Sequence, residues 1–167
     1  MDLGILENME TQGLKDYLEF LLWHYRVVDG YWFLCVEDMY NRKAAEHIDE
    51  VVWGKIAGMS AIDIIERFHI KEKGVKGFAR AMQYCPWTMI VGYRIEENED
   101  EVILTVPQCV TQVARLKYGL PEFHCKDVHQ REFESFAHAI DPTIKVECVF
   151  APPDDHPANC FCKWIFR

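Results

Sequence analysis

The sequence predicts an α+β fold: a helical N-terminal half packed on a four-stranded antiparallel sheet, with one helix between the strand pairs. Three observations carry that expectation. Apolar residues recur at helical spacing through the first half, the period changes to two from Trp87 onward, and a capped helical stretch separates one pair of alternating segments from the next.

Leu14, Leu18, Leu21, Leu22 and Tyr25 follow Thr11, a residue suited to N-capping, and the pattern resumes through Trp32, Leu34, Cys35 and Met39. Asp29-Gly30 leaves open one kinked helix or two, because a glycine inside a helix costs only about 1 kcal/mol. Ile48, Val52, Ile56 and Met59 continue the period, and Ser60 to Asp63 is placed to recap a further turn carrying Ile64, Ile65 and Phe68. Gly74 and Gly77 bracket a break. After it, Phe78, Met82 and Cys85 fit a short amphipathic helix that Pro86 ends.

Trp87, Met89, Val91, Tyr93 and Ile95 alternate with their neighbours, as a strand with one buried face requires, and a second strand is predicted over Val102 to Val106. The acids Glu96, Glu97, Glu99, Asp100 and Glu101 between them read as a solvated hairpin tip. Asp127 to Gln130 forms a capping-box pattern ahead of Phe133, Phe136, Ala137 and Ile140, with Pro142 blocking continuation. Ile144 to Phe150 and Cys160 to Phe166 complete the strands, joined by a stiff proline-rich loop.

The 167 residues suffice for a single domain spanning 1–167, mainly helical over 1–85 and sheet with a cysteine cluster over 86–167. Half are apolar and 27% are charged, a globular composition. A net charge of -9 opposes nucleic-acid backbones and anionic membranes, so neither is an expected partner. The opening MDLGILENMETQ carries no basic region followed by an apolar stretch, and no window approaches eighteen uninterrupted apolar residues; the expected location is the cytoplasm. Oligomeric state is open, a homodimer included.

Seven cysteines, an odd number, argue against a disulfide framework and for free thiols, metal ligands or a reactive cysteine. Five of them, Cys109, Cys125, Cys148, Cys160 and Cys162, fall in the last third of the chain. Alternation puts Cys148 on one face of its strand and Cys160 and Cys162 on one face of the next, so pairing of those strands would bring them together. Cys125 precedes a helix, where unpaired N–H groups favour a thiolate, and Cys109 ends a strand. Four such thiolates suit zinc, while a set of inert core thiols fits the same pattern. Cys35 and Cys85 lie on apolar helix faces and read as core. His124 and His156 are reserve ligands, Cys160 is an extra candidate, and Arg115, Lys117, Lys126 and Arg131 gather positive charge beside Cys109 and Cys125. Trp23, Trp32, Trp53 and Trp87 are candidate lining for a hydrophobic cavity between the N-terminal helices and the sheet. No dinucleotide, P-loop, zincin or serine-hydrolase motif is present.

The segments YRVVDGYWFLCVED, PQCVTQVARLKYGLPEFHCK, FESFAHAIDPTIKVECVFAPPDDHP and CKWIF resemble a prokaryotic family of small cytosolic proteins known as a domain of unknown function. The last third, with a cysteine before a helix, a strand bearing Glu147 and Cys148, and a cysteine on an aromatic terminal strand, is similar to the 4-vinyl reductase domain, a small-molecule-binding module with zinc-bearing members. That likeness implies ligands at Cys125, Cys148 and Cys162, with Glu147 or Cys109 as the fourth. In size and helical N-terminal half the chain also resembles the amino-thiazoline carboxylate hydrolase group.

The resulting expectation is a zinc-thiolate, small-molecule-binding protein using Cys109, Cys125, Cys148 and Cys162. Two alternatives stand beside it. One is a cysteine-dependent hydrolase of C–N or C–S bonds with Cys125 as nucleophile, assisted by His124 or His129; the other is an iron or iron-sulfur protein on the same thiols.

Overall fold

The computed structural model describes residues 2–167; Met1, part of the N-terminal stretch read for an export signal, lies outside them. A short helix α1 (Gly4–Glu7) precedes α2 (Thr11–Met39), which runs unbroken through Asp29 and Gly30. Thr11 is its first helical residue, not its cap, and Glu10 stands outside without a side-chain bond. The helix α3 (Arg42–Arg67) starts at Asn41, whose side-chain oxygen accepts from the Ala44 N–H at 2.9 Å, and it passes Ser60 without a recap.

The buried side of α3 differs from the predicted one. Ile48, Val52, Ile56 and Met59 are exposed, whereas Ala45, Ala57, Ala61 and Ile64 are buried. Small residues face inward because α3 lies hard against a later helix: a β-carbon on Gly58 would sit 3.3 Å from the Ser135 carbonyl oxygen. The helix α4 (Gly74–Met82) buries Phe78 and Met82 as its spacing demands.

The expected strand from Trp87 is largely helical. Residues Thr88–Gly92 form a wide π-helical turn, pinned by the Thr88 hydroxyl donating to the Met82 carbonyl at 2.6 Å. Gly92, at φ 75°, ends the turn and releases the chain into β1 (Arg94–Glu97). The acidic tip then leads to β2 (Val102–Val106).

An unpredicted helix α5 (Val110–Lys117) follows, then α6 (Lys126–Ile140), β3 (Val146–Phe150) and β4 (Cys162–Phe166). Two helices therefore separate the strand pairs. Cys125 is the N-cap of α6, which places Asp127 inside the first turn instead of at the cap. Gln130 bonds forward to Glu134 and Val146, not back to the helix start.

The sheet is antiparallel throughout, in the order β1-β2-β4-β3. Its covered face carries Leu104, Trp164 and Phe166, on which α4 and α6 rest: Phe78 stacks on Phe166 at 4.0 Å between centroids, and Phe133 meets Trp164 edge-on at 5.2 Å. Outside α6 lies α3, and beside α3 the long α2, which buries only Val36.

Candidate functional site

Between α2 and the body of the protein lies a cavity of about 650 Å³. Val27, Phe33 and Leu34 of α2 form one wall, Trp53 of α3, Trp87 at the start of the π turn and Val91 within it another, and α5, α6 and β4 close it. Exposed lining residues on α2 and on or beside α5, Tyr31, Leu34, Ala114 and Tyr118, mark the open side between the two helices. Of the four expected lining tryptophans, Trp53 and Trp87 are there, packed 5.7 Å apart with Tyr25 against both. Trp23 and Trp32 instead face solvent.

The cavity mouth is held by polar side chains that α5 turns inward. Gln112, fully buried, donates to the Phe123 carbonyl at 2.9 Å and accepts the Phe123 N–H at 3.1 Å, fixing the loop before α6. Arg115 grips Glu37 of α2 through two bonds of 2.7 and 3.0 Å and donates to the Pro121 carbonyl at 2.8 Å, with Phe33 beneath its guanidinium. These contacts tie α2, α5 and the loop into one wall.

One stretch of that wall is ionisable. Asp29, Asp49, His129 and Glu132 all line the cavity, from α2, α3 and α6. Glu132 is buried, and its carboxylate lies 2.7 Å from His129 Nδ1. Burial disfavours the imidazolium, yet contact with the Cys125 thiol and the Glu132 carboxylate outweighs it and holds His129 well above its ordinary value. Burial and the Glu132 charge push Asp29 up to about 6, while burial and the Asp29 charge push Asp49 up to about 7; the Trp53 indole opposes both shifts. Three acids thus share a half-dry wall with a single imidazole, and the cheapest occupancy near neutral pH keeps a proton among them. Asp29, Asp49 and Glu132 carry no motif in the sequence that marks them as site residues, and His129 is expected there only as a helper to Cys125.

The cysteines converge less than expected. Cys109, Cys125 and Cys162 line the cavity, but Cys148 does not. In register, Cys148 faces Trp164 while Cys162 faces Val106, and an irregularity between Cys148 and Phe150 separates them further. Cys125 accepts from Gln112 Nε2 at 3.6 Å. Burial raises the thiol of Cys148 to about 11 and also raises those of Cys109 and Cys162. The other candidate ligands are dispersed: His124 is exposed, His156 pairs with Glu122 at 3.3 Å, Glu147 pairs with Arg167 at 2.7 Å, and Cys160 donates to the Cys162 carbonyl. The basic patch is engaged elsewhere, since Arg115, Lys126 and Arg131 are paired with Glu37, Asp154 and Glu50, although the Lys126 charge partly offsets the effect of burial on Cys148. Among the described residues no group of three or more His, Cys, Asp or Glu side chains is placed to hold a metal ion. The expected zinc-binding function on Cys109, Cys125, Cys148 and Cys162 is corrected on that ground.

Residues 8–167 match the family of unknown function DUF6125. The chain belongs to that family. No curated protein matches it. Among solved structures it is similar to trafficking protein particle complex subunit 3 from Naegleria fowleri, covalently bound to palmitic acid, at 12% identity and a TM-score of 0.49, over 92% of this chain and 95% of that one. The family matched over residues 8–167 is DUF6125, and the expected likeness of the last third to the 4-vinyl reductase domain is corrected on that ground. Among the described residues no helix is long and apolar enough to cross a membrane.

Proposed function

We propose that this protein binds, in its internal cavity, a small molecule with a bulky apolar body and a cationic or hydrogen-bond-donating head. The observation that carries the reading is the pairing of an aromatic and aliphatic cavity of about 650 Å³ with one cluster of carboxylates on its wall. That volume falls within the range of small-molecule pockets, and a few convergent polar groups in an apolar lining are what orient such a ligand. Asp29, Asp49 and Glu132 outnumber the one imidazole, so an incoming ammonium would restore the charge balance that a bound proton otherwise supplies.

The test is a matched series of dodecylamine, dodecanol and dodecanoate, followed by the fluorescence of the lining residues Trp53 and Trp87 and by thermal shift. The amine is expected to bind at least about tenfold more tightly than the carboxylate. Ala114→Trp, on the α5 wall, is expected to weaken all three by filling the space. If none of the three alters fluorescence or melting, the cavity is not a binding site; if dodecanoate binds best, the assignment of the head group fails.

A further inference from the structure

The outer side of α2 is an uncharged seam with a strict heptad period. Starting at Leu14, apolar or aromatic residues recur at Leu18, Leu21 and Tyr25, in steps of four, three and four. The same alternation continues through Val28, Trp32, Cys35 and Met39. A 3.5-residue repeat sustained over eight positions is the pattern that two helices need to supercoil around one another, and a helix that merely covers a core repeats at 3.6. At 1.5 Å per residue the seam is roughly 38 Å long.

All eight seam residues are exposed, from Tyr25 at 37% to Met39 at 75%. The cavity-lining residues of α2, among them Val27, Asp29, Tyr31, Phe33 and Leu34, occupy other positions than the eight seam residues. Only Tyr25 is shared with the interior, through its contacts with Trp53 and Trp87.

We infer that this seam is the interface of a homodimer, in which α2 of one copy packs along α2 of a second. The area fits. A stable interface needs about 800 Å² from each partner, and Trp32 alone, 65% exposed, offers roughly 100–160 Å² of the roughly 150–250 Å² an aromatic side chain can bury. With seven further residues along the same line, the seam approaches the required area from α2 by itself. The partner must present a helix of similar length, with the same period and no charge on the contacting side, and α2 of a second copy meets each condition. A twofold axis across the seam makes the contact self-complementary and closed.

The experiment is sedimentation equilibrium on the full chain over a wide concentration range. The wild type is expected to have twice the chain mass, and the seam variant Val28→Glu with Trp32→Glu the mass of one chain, with helical circular dichroism retained. Leu14→Glu, at the far end of the seam, is expected to weaken the dimer without risk to the body of the fold. Phe20→Glu, an exposed apolar position of α2 off the seam, is expected to stay dimeric. A wild type that is monomeric at every concentration overturns the proposal, as does a dimer that survives the seam substitutions or one that Phe20→Glu disrupts equally.

Discussion

His129 and Glu132, one turn apart on α6, meet at 2.7 Å inside the cavity wall, and the Glu132 carboxylate adds to shifts in Asp29 and Asp49 that burial dominates. Glu132 raises Asp29 and Asp49 as well as His129. The substitution Glu132→Gln is therefore expected to lower all three at once, which titration by NMR would show directly. The sign for His129 is definite. Its folded value lies above the unfolded value near 6.5, so its stabilising contribution is complete below about pH 6.5 and is lost as pH rises through the folded value. Removing the carboxylate should cost about 2 kcal/mol at pH 6 and less at alkaline pH, as read by urea unfolding at the two pH values. An unchanged His129 titration in Glu132→Gln would mean that the pair does not form.

Asp49 gives the same sign of pH dependence from the opposite cause, a buried charge that is unfavourable instead of one that is paired. Its folded value of about 7 lies above the ordinary carboxylate value, so the native state holds a proton that the unfolded chain gives up, and stability falls as pH rises from about 4 to about 7. Asp49→Asn removes the charge that burial penalises. It should stabilise the protein by about 1–2 kcal/mol at pH 8, a figure reduced for the partial exposure of the side chain, and leave it nearly unchanged at pH 4. Chemical denaturation at pH 4 and pH 8 separates the two; equal effects at both would assign the change to lost hydrogen bonding instead.

Wherever burial followed apolar pattern, the architecture could be read from the chain. Phe78 and Met82 on α4, Phe133 and Phe136 on α6, and Trp164 and Phe166 on β4 are all core residues, as alternation and helical spacing require. It was hidden where burial is polar. Helix α5 turns Gln112 and Arg115 inward and leaves Val113 and Leu116 exposed, the reverse of an amphipathic signal, because its inner side serves hydrogen bonds to a loop and to Glu37. The π turn was hidden because Trp87, Met89 and Val91 alternate by chance over a stretch too short to distinguish the periods, with Pro86 and Gly92 at its ends as the available clue. As for the site, the cysteines drew attention by their number, whereas Asp29, Asp49 and Glu132 lie far apart in the chain and meet only because α2, α3 and α6 pack against one cavity.

Two glycines one turn apart on α3 should respond differently to the same substitution. A β-carbon at Gly58 would meet Ser135 Oγ at 2.8 Å and the Ser135 carbonyl oxygen at 3.3 Å. The hydroxyl can rotate away, but the carbonyl belongs to α6 and moves only if the helices separate. Replacing glycine by alanine in a helix normally gains about 1 kcal/mol. At Gly58 that gain is offset by the strain, and Gly58→Val, with two more methyl groups at the contact, should destabilise by about 2–3 kcal/mol. At Gly54 the nearest atoms the new one would meet all belong to the Arg131 side chain, at 2.7–2.9 Å. That chain is flexible and half exposed, and its displacement gives up a surface pair with Glu50 worth under about 1 kcal/mol. Gly54→Ala is therefore expected to be neutral to slightly stabilising. Thermal melts of the three variants under one condition test the contrast, and a stabilised Gly58→Val would show that α3 and α6 do not approach as closely as Gly58 and Ser135 require.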